Sequence, residues 1–234
     1  MKRILKIGMD VHTTNYTLCA MEPIIGEDDR VFATIKVTPD YKNILMFIEN
    51  LKLKLGLNDE YDIQCGYEAG CLGYSLYNQL TAAGIKCVIL APTTMLTPQG
   101  VRIKTDMRDA YMIAQCLSYG GYHAVYIPTE DDDSVKEYLR MRNDHKLALK
   151  KIKQQINAFC IRHGFCYDGT KWTLSHLKWL KKLEITNGLY RETLDEYMAS
   201  YEEQEAKIER YDKRIGEIAE QTRYHDKVLS LIHI

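Results

Sequence analysis

Two patterns of apolar residues divide this chain near residue 128, and the division restricts the folds open to it. Before residue 128, short β-rich runs alternate with segments of helical period, which is typical of a mixed sheet flanked by helices. After it, two long stretches repeat apolar residues at three-, four- and seven-residue spacing, which predicts a coiled-coil-like helical hairpin. The sequence therefore predicts an α/β domain at residues 1–128 and a helical region at residues 129–228.

The first part predicts three strands in a meander, then helices alternating with two further strands. The five predicted strands are Ile4–Asp10, Asn15–Met21, Val31–Val37, Tyr61–Tyr67 and Lys86–Leu90. Its predicted helices run from Asp40 to Gly56, from Leu72 to Ala83 and from Thr105 to Leu117. In the second part, a break at Asn187-Gly188 separates the last two of three predicted helices, which are Val135–His163, Leu174–Leu183 and Thr193–Tyr224.

Four acidic residues fall at the ends of these predicted elements. Asp10 ends the first strand and Glu68 follows the fourth, so their carboxyl groups come close together if these two strands are neighbours. Asp106 and Asp109 are three residues apart and therefore share one face of a helix. Such an oxygen-rich cluster suits Mg²⁺ or Mn²⁺ and metal-dependent phosphodiester chemistry. Taken singly, each acid also fits a simpler role as a turn residue or a helix cap.

Positive charge is concentrated in the second part of the chain. Residues 1–133 carry 12 Lys and Arg against 17 Asp and Glu, whereas residues 134–234 carry 19 against 15. A basic surface can contact a phosphate backbone, although a solvated helix surface explains the count equally well. The predicted nucleic-acid contacts are Lys146, Lys150, Lys151 and Lys153, together with Arg102 and Lys104 on the approach to Asp106.

Composition narrows the cellular setting. The chain has seven cysteines without a CxxC pair, which argues against a disulfide framework and favours a reducing, cytoplasmic location. It contains no run of eighteen apolar residues, so the sequence predicts no membrane span.

Three segments carry a family resemblance: IGMDVH near the start, GYEAG after the fourth strand, and KTDMRDA before a helix. In this order and spacing, over residues 4–163, the chain resembles the DEDD-type insertion-sequence transposases. The resemblance implies a RuvC-like, RNase H-type fold in which Asp10, Glu68, Asp106 and Asp109 bind the metal ions. It also implies DNA and a structured guide RNA as partners, with dimerisation or RNA contacts through the helical region.

The end of the chain departs from that family pattern. The resemblance implies a further domain with a nucleophilic serine, and no serine here matches that context. The last six residues, Leu229–Ile234, also read back to a transposon mosaic end used as a sequencing adaptor. We therefore expect a fragment that is inactive alone in recombination, binding metal but completing no strand transfer, with residues 229–234 a non-native tail; a short apolar C-terminal strand is the alternative.

Other interpretations remain open at this point. Cys160, His163 and Cys166 are spaced for a soft metal, although buried thiols and a helix-terminal histidine explain them better. IGMDVHTT superficially resembles the first phosphate loop of actin-like ATPases and sugar kinases, but His12 stands where a glycine belongs. A non-catalytic coiled-coil scaffold that binds nucleic acid is the third alternative. His12 itself is either a turn residue or a contact to phosphate or metal-bound water.

Overall fold

A computed structural model describes residues 3–24, 29–56, 61–95, 105–221 and 223–224. It divides the chain into two compact units, Met1–Ile127 and Pro128–Ile234. Within the described ranges, the helices include none with the length and apolar character needed to cross a membrane. Arg102, Lys104 and the proposed tail at residues 229–234 lie outside the described residues.

The first unit is built on one mixed five-stranded sheet. Its strands follow the order β3-β2-β1-β4-β5, in which β1 and β2 pair antiparallel, as do β2 and β3, while β4 runs parallel to both β1 and β5. The strand bounds are β1 Arg3–Val11, β2 Tyr16–Glu22, β3 Arg30–Val37, β4 Tyr61–Glu68 and β5 Lys86–Leu90. The structure therefore confirms the predicted meander and makes β1 and β4 direct neighbours.

Three helices of this unit cover the two faces of the sheet. They are α1 Tyr41–Leu55, α2 Ser75–Ala82 and α3 Asp106–Tyr119, and a short 3-10 turn follows β5 at Pro92–Thr94. Asp40 caps α1 by accepting a hydrogen bond from the Lys42 amide at 2.9 Å, and Gly56 ends it in the left-handed region. The predicted start of α2 at Leu72 was wrong, because residues 71–74 form turns and the helix begins at Ser75.

Alternation along β1 gives the sheet two different faces. Leu5, Ile7 and Met9 point into a fully buried apolar core shared with α1 and α2. Gly8 lies on the opposite face of the sheet, where α3 packs so closely that a Cβ on Gly8 would collide with the backbone of Ala110 and Ala114. Alternation places Asp10 on this same α3 face.

The second unit contains three helices, α4 Glu130–Arg162, α5 Leu174–Lys182 and α6 Gly188–Ala219. The predicted start of α4 at Val135 was wrong, because the acidic residues 130–133 form its first turn. Thr129 caps this turn, and acids there are stabilised by the helix dipole. The predicted bounds of α6 were also wrong: the Asn187 side chain accepts hydrogen bonds from the Leu189 and Tyr190 amides, so the helix begins at Gly188, and it ends at Ala219.

Helices α4 and α6 form an antiparallel hairpin. Contacts pair the start of one helix with the end of the other, as in the 2.7 Å bond from Arg142 Nε to Asp212 and the ring contact between His163 and Tyr190. The two helices share a core with α5, whose fully buried members include Ile156, Leu180 and Leu194. The structure thus confirms the α/β class with flanking helices followed by a long helical hairpin.

Candidate metal centre

The carboxyl end of β1 brings two of the predicted acids side by side. The parallel register pairs Met9 of β1 with Tyr67 of β4, so Asp10 and Glu68 follow at the same level on adjacent strands. Residues at one level of neighbouring strands point to the same face, which here is the face covered by α3. Asp10 is largely shielded, with 15% of its side chain exposed, whereas Glu68 is exposed.

The first turn of α3 brings the other two acids to this end of the sheet. Thr105 is the N-cap, and its side chain accepts a hydrogen bond from the Arg108 amide. Asp106 and Asp109 are therefore first-turn residues, where the helix dipole favours negative charge. The alternative role of Asp106 as the cap itself is excluded, because Thr105 fills that position.

Three side chains of this region have ligand atoms close enough to share one metal ion. Asp10, His12 and Asp106 each offer an atom that lies within 4.8 Å of the other two. Glu68 and Asp109 are not members of this group in the described part of the chain. The structure therefore joins two of the four predicted acids with a histidine and places the other two on the adjoining strand and helix turn.

His12 reaches the group from the turn between β1 and β2. Its backbone amide donates a 2.9 Å hydrogen bond to the Asn15 carbonyl oxygen, which closes the turn. Its Nε2 atom lies 3.2 Å from Asp10 Oδ2, and the imidazole is about half exposed. The sequence left the role of His12 open between a turn residue and a contact to metal-bound water or phosphate. The backbone turn accounts for the position of the His12 main chain, whereas the imidazole also contacts Asp10.

Burial and neighbouring charge shape the electrostatics of the group. Burial raises the pKa of Asp10, and the carboxylates of Asp109 and Asp106 raise it further, whereas His12 opposes them. Asp106 behaves differently, because a 2.7 Å hydrogen bond from Lys36 Nζ lowers its pKa. The cluster thus contains one carboxylate that lacks full charge compensation and one that is paired with a lysine.

The residues present fit a bound cation. Asp10 Oδ2 is buried and, among the described residues, has no hydrogen bond of good geometry, although the half-exposed His12 ring lies 3.2 Å away. Thr17 Oγ1, on the residue that pairs with Asp10 across the β1–β2 ladder, is also buried without such a partner. A buried carboxylate oxygen that is incompletely hydrogen-bonded is costly, and a divalent cation would remove that cost.

Two residues of this site were not anticipated. Lys36 lies on β3, where the ladder pairs it with Thr17, and it reaches Asp106 across the face of the sheet. Thr17 is completely buried although it is polar. In the sequence, Lys36 shows only that it alternates with apolar residues in a strand. Its closeness to Asp106 depends on how β3 pairs in the sheet, so the sequence did not indicate that it belongs to the site.

The predicted nucleic-acid residues of α4 differ in their surroundings. Lys146, Lys150 and Lys151 are exposed. Lys153 is instead engaged within the second unit: its Nζ lies 3.1 Å from Glu205 and sits over the rings of Trp172 and Tyr201. The first three lysines are therefore available to a partner, while Lys153 takes part in packing.

The cysteine and histidine residues considered for zinc do not form a metal-binding group within the described ranges. Cys160 is buried, Cys166 is exposed, and the His163 ring packs against Phe159 and Tyr190. Burial raises the pKa of the Cys160 thiol, which makes the thiolate needed by zinc less available.

The fold and site define a class of protein: a mixed-sheet α/β domain with an acidic candidate metal centre, joined in sequence to a long helical hairpin. A family model described as Transposase, for the IS110-type DEDD transposases, matches residues 7–161. The chain therefore belongs to this family, as the motifs around Asp10, Glu68 and Asp106 indicated.

Individual relatives were also found. The chain is 34% identical over 232 residues to the transposase for insertion sequence element IS1533 of Leptospira borgpetersenii, a match that spans 97% of this chain and 64% of that protein. It is 35% identical over 131 residues to the y4qE protein of Sinorhizobium fredii strain NBRC 101917 / NGR234, covering 56% of this chain and 34% of that one. The chain thus spans about two thirds or less of the length of these relatives.

Among solved structures, the chain is similar to RuvC of T. thermophilus in complex with a Holliday junction substrate. The TM-score is 0.34 at 13% sequence identity, and the match covers 52% of this chain and 99% of that chain.

Proposed function

We propose that the first unit binds Mg²⁺ or Mn²⁺ through Asp10, Glu68, Asp106 and Asp109 and cleaves DNA phosphodiester bonds during insertion-sequence transposition. The observation that carries the proposal is the group of metal-type ligands around the buried Oδ2 of Asp10, in a chain that belongs to a transposase family. Bound divalent ions would supply activation of the attacking oxygen and stabilisation of the leaving oxygen.

The protein residues have separate tasks in this proposal. Asp10 is held rigidly, because its strand is central in the sheet and paired on both sides. Asp106 and Asp109 are carried by α3, which Gly8 allows to approach the sheet closely. Glu68 is the most exposed of the four, and in this proposal its carboxylate would hold a second ion.

Metal binding by the full chain tests the first part of the proposal. Mn²⁺ should raise the melting temperature of the wild type, and Asp10→Asn should remove most of that rise while leaving a folded protein. Asp62→Asn is a matched control, since Asp62 lies on the same sheet but pairs with Lys86 at 2.6 Å. An Asp10→Asn protein that responds to Mn²⁺ as the wild type does would refute the site.

The chemical step is tested with the same variants. Labelled branched and linear DNA duplexes are incubated with Mg²⁺ or Mn²⁺, and cleavage should require the metal and disappear in Asp10→Asn. Because the chain spans 64% of its Leptospira relative, cleavage and strand transfer are scored separately. Metal binding without cleavage under any condition would contradict the catalytic part, and would favour the alternative of a non-catalytic nucleic-acid-binding scaffold.

We further propose that the second unit binds nucleic acid, including a structured guide RNA, and contributes to homo-oligomerisation. The exposed lysines of α4 support the first point, because exposed cations contact phosphates without regard to sequence. The exposed apolar side chains of the same helix, Leu139, Leu147 and Ile161, support the second. Light scattering on the full chain tests self-association, and a monomer at all concentrations would contradict it.

Replacing Lys146, Lys150 and Lys151 together by Gln tests the nucleic-acid contacts. Each lost phosphate contact should reduce the slope of log affinity against log salt by about 0.7–0.9. Lys153→Gln is the matched control, because this lysine already pairs with Glu205. An unchanged slope in the triple variant would show that these lysines do not contact phosphates and form an ordinary solvated surface.

A further inference from the structure

His12 is the residue of the candidate metal centre for which the family pattern of four acids gives no role. Its Nε2 is 3.2 Å from Asp10 Oδ2. At that distance the imidazole faces the carboxylate directly, although Asp10 Oδ2 has no hydrogen bond of good geometry among the described residues. His12 and Asp10 are therefore paired side chains of one group, and their contact leaves the buried oxygen incompletely satisfied.

The separation of Nε2 and Oδ2 also suits two ligands of a single metal ion. Adjacent ligand atoms of an octahedral ion, each about 2.1 Å from the metal, are separated by about 3.0 Å. The separation of Nε2 and Oδ2 matches this value, and the ligand atom of Asp106 lies within 4.8 Å of both.

The backbone already holds His12 in place for this purpose. The 2.9 Å hydrogen bond from its amide to Asn15 fixes the turn, and Thr17 is buried in the strand that follows. The imidazole itself remains about half exposed, so it is not needed to fill the core. The turn by itself does not require the ring to lie beside the Asp10 carboxylate, and a shared metal ion would account for that placement.

We propose that His12 is a direct metal ligand through Nε2, so that the site combines carboxylate oxygens with one imidazole nitrogen. This inference rests on the proposed function, namely that the acidic group binds a divalent cation. Its consequence is a shift in metal preference. Mg²⁺ and Mn²⁺ both favour oxygen ligands, but the softer Mn²⁺ accepts an imidazole nitrogen more readily than Mg²⁺ does, so His12 should favour Mn²⁺ over Mg²⁺.

Pulsed electron paramagnetic resonance of Mn²⁺ bound to the full chain tests the assignment. The wild type should show the ¹⁴N modulation of a directly bound imidazole, and the signal should change when the protein is labelled with ¹⁵N-histidine. His12→Ala should lose the signal. His123→Ala is the matched control, since His123 is an exposed histidine of the same unit outside the metal-binding group.

Affinity measurements provide the second readout. Loss of residues that only orient a metal ligand typically weakens binding by about 10–100-fold, so loss of a ligand itself should weaken Mn²⁺ binding by at least about tenfold. Mg²⁺ binding should weaken less. His12→Ala should therefore narrow the ratio of the two affinities, while His123→Ala leaves it unchanged.

The possible outcomes separate this inference from the proposed function. Mn²⁺ binding that depends on Asp10 but shows no ¹⁴N signal from histidine would overturn the role of His12 and leave the metal site intact. Equal losses of Mn²⁺ and Mg²⁺ affinity, without a bound nitrogen, would make His12 a hydrogen-bond partner of Asp10 only. No Mn²⁺ binding to the wild type would overturn both proposals.

Discussion

Replacing Gly8 by Ala should destabilise the first unit and disturb the metal centre together. A Cβ at this position would lie 2.9 Å from the Ala114 Cα and closer still to the Ala110 carbonyl oxygen and the Ala114 amide nitrogen. The shortest contact would be 2.1 Å, to the Ala110 oxygen, whereas non-bonded heavy atoms normally stay more than about 3 Å apart, so α3 must move away from β1 by about 1 Å or more. All three neighbouring atoms belong to the backbone, and no side-chain rotation can relieve the collision.

The expected magnitude follows from these contacts. Overpacking costs about 1–3 kcal/mol, and a purely backbone collision belongs at the upper end of that range. Alanine also lowers the conformational entropy of the unfolded chain, which stabilises the folded state by about 0.4–1 kcal/mol. A net loss of about 2 kcal/mol should lower the melting temperature by about 4–8 °C. Because α3 carries Asp106 and Asp109, the rise in melting temperature produced by Mn²⁺ should also become smaller.

Two other glycines provide graded controls in urea unfolding and thermal melting of the full chain. A Cβ on Gly66 would meet only side-chain atoms of Leu117 and Leu90, which can rotate, so Gly66→Ala should cost about 1 kcal/mol. A Cβ on Gly70 would be 3.9 Å from its nearest neighbour, and Gly70→Ala should be nearly neutral. The reasoning fails if Gly8→Ala is no more destabilising than Gly70→Ala.

Two further predictions concern charge. Burial, assisted by the charge of Lys171, lowers the pKa of His176 in the folded protein. As the pH falls through the ordinary histidine pKa, the unfolded state therefore binds more protons than the folded state. The second unit should lose stability over that pH range. Urea unfolding at about pH 7.5 and pH 5 checks this, and an equal pH dependence in His176→Gln would contradict it. Lys36→Met should lower the melting temperature without metal and enlarge the rise on adding Mn²⁺, because Asp106 loses its cation. Lys52→Met, which removes a similar 2.7 Å pair with Glu49, is the control, and equal rises in both variants would refute the role of Lys36.

The sequence by itself determined the local features of this protein. Apolar alternation and helical period located the five strands and the main helices, because both patterns depend on neighbours along the chain. The acids at the ends of β1, β4 and the start of α3 were identified for the same reason. Once β1 and β4 pair in parallel, Asp10 and Glu68 must lie at one edge of the sheet.

Local signals misplaced several helix starts. The sequence predicted that the first long helix begins at Val135, but Thr129 caps the acids at 130–133 as the first turn of α4. Asn187-Gly188 suggested a break, and the Asn187 side chain instead begins α6. In both cases the same residue types occur in loops and at helix ends. Which of the two forms depends on whether tertiary packing stabilises the helix that follows.

Only the tertiary structure decided which side chains complete the site and which are consumed by packing. Lys36 meets Asp106 because β3 pairs with β2 in one particular register, and this long-range pairing leaves no trace in the neighbouring sequence. Lys153 is drawn to Glu205 because α4 and α6 run antiparallel. The direction of the His12 ring toward Asp10 likewise depends on the turn and strand that hold it. Contacts between residues far apart in sequence are set by strand register and helix packing, which a local pattern does not encode.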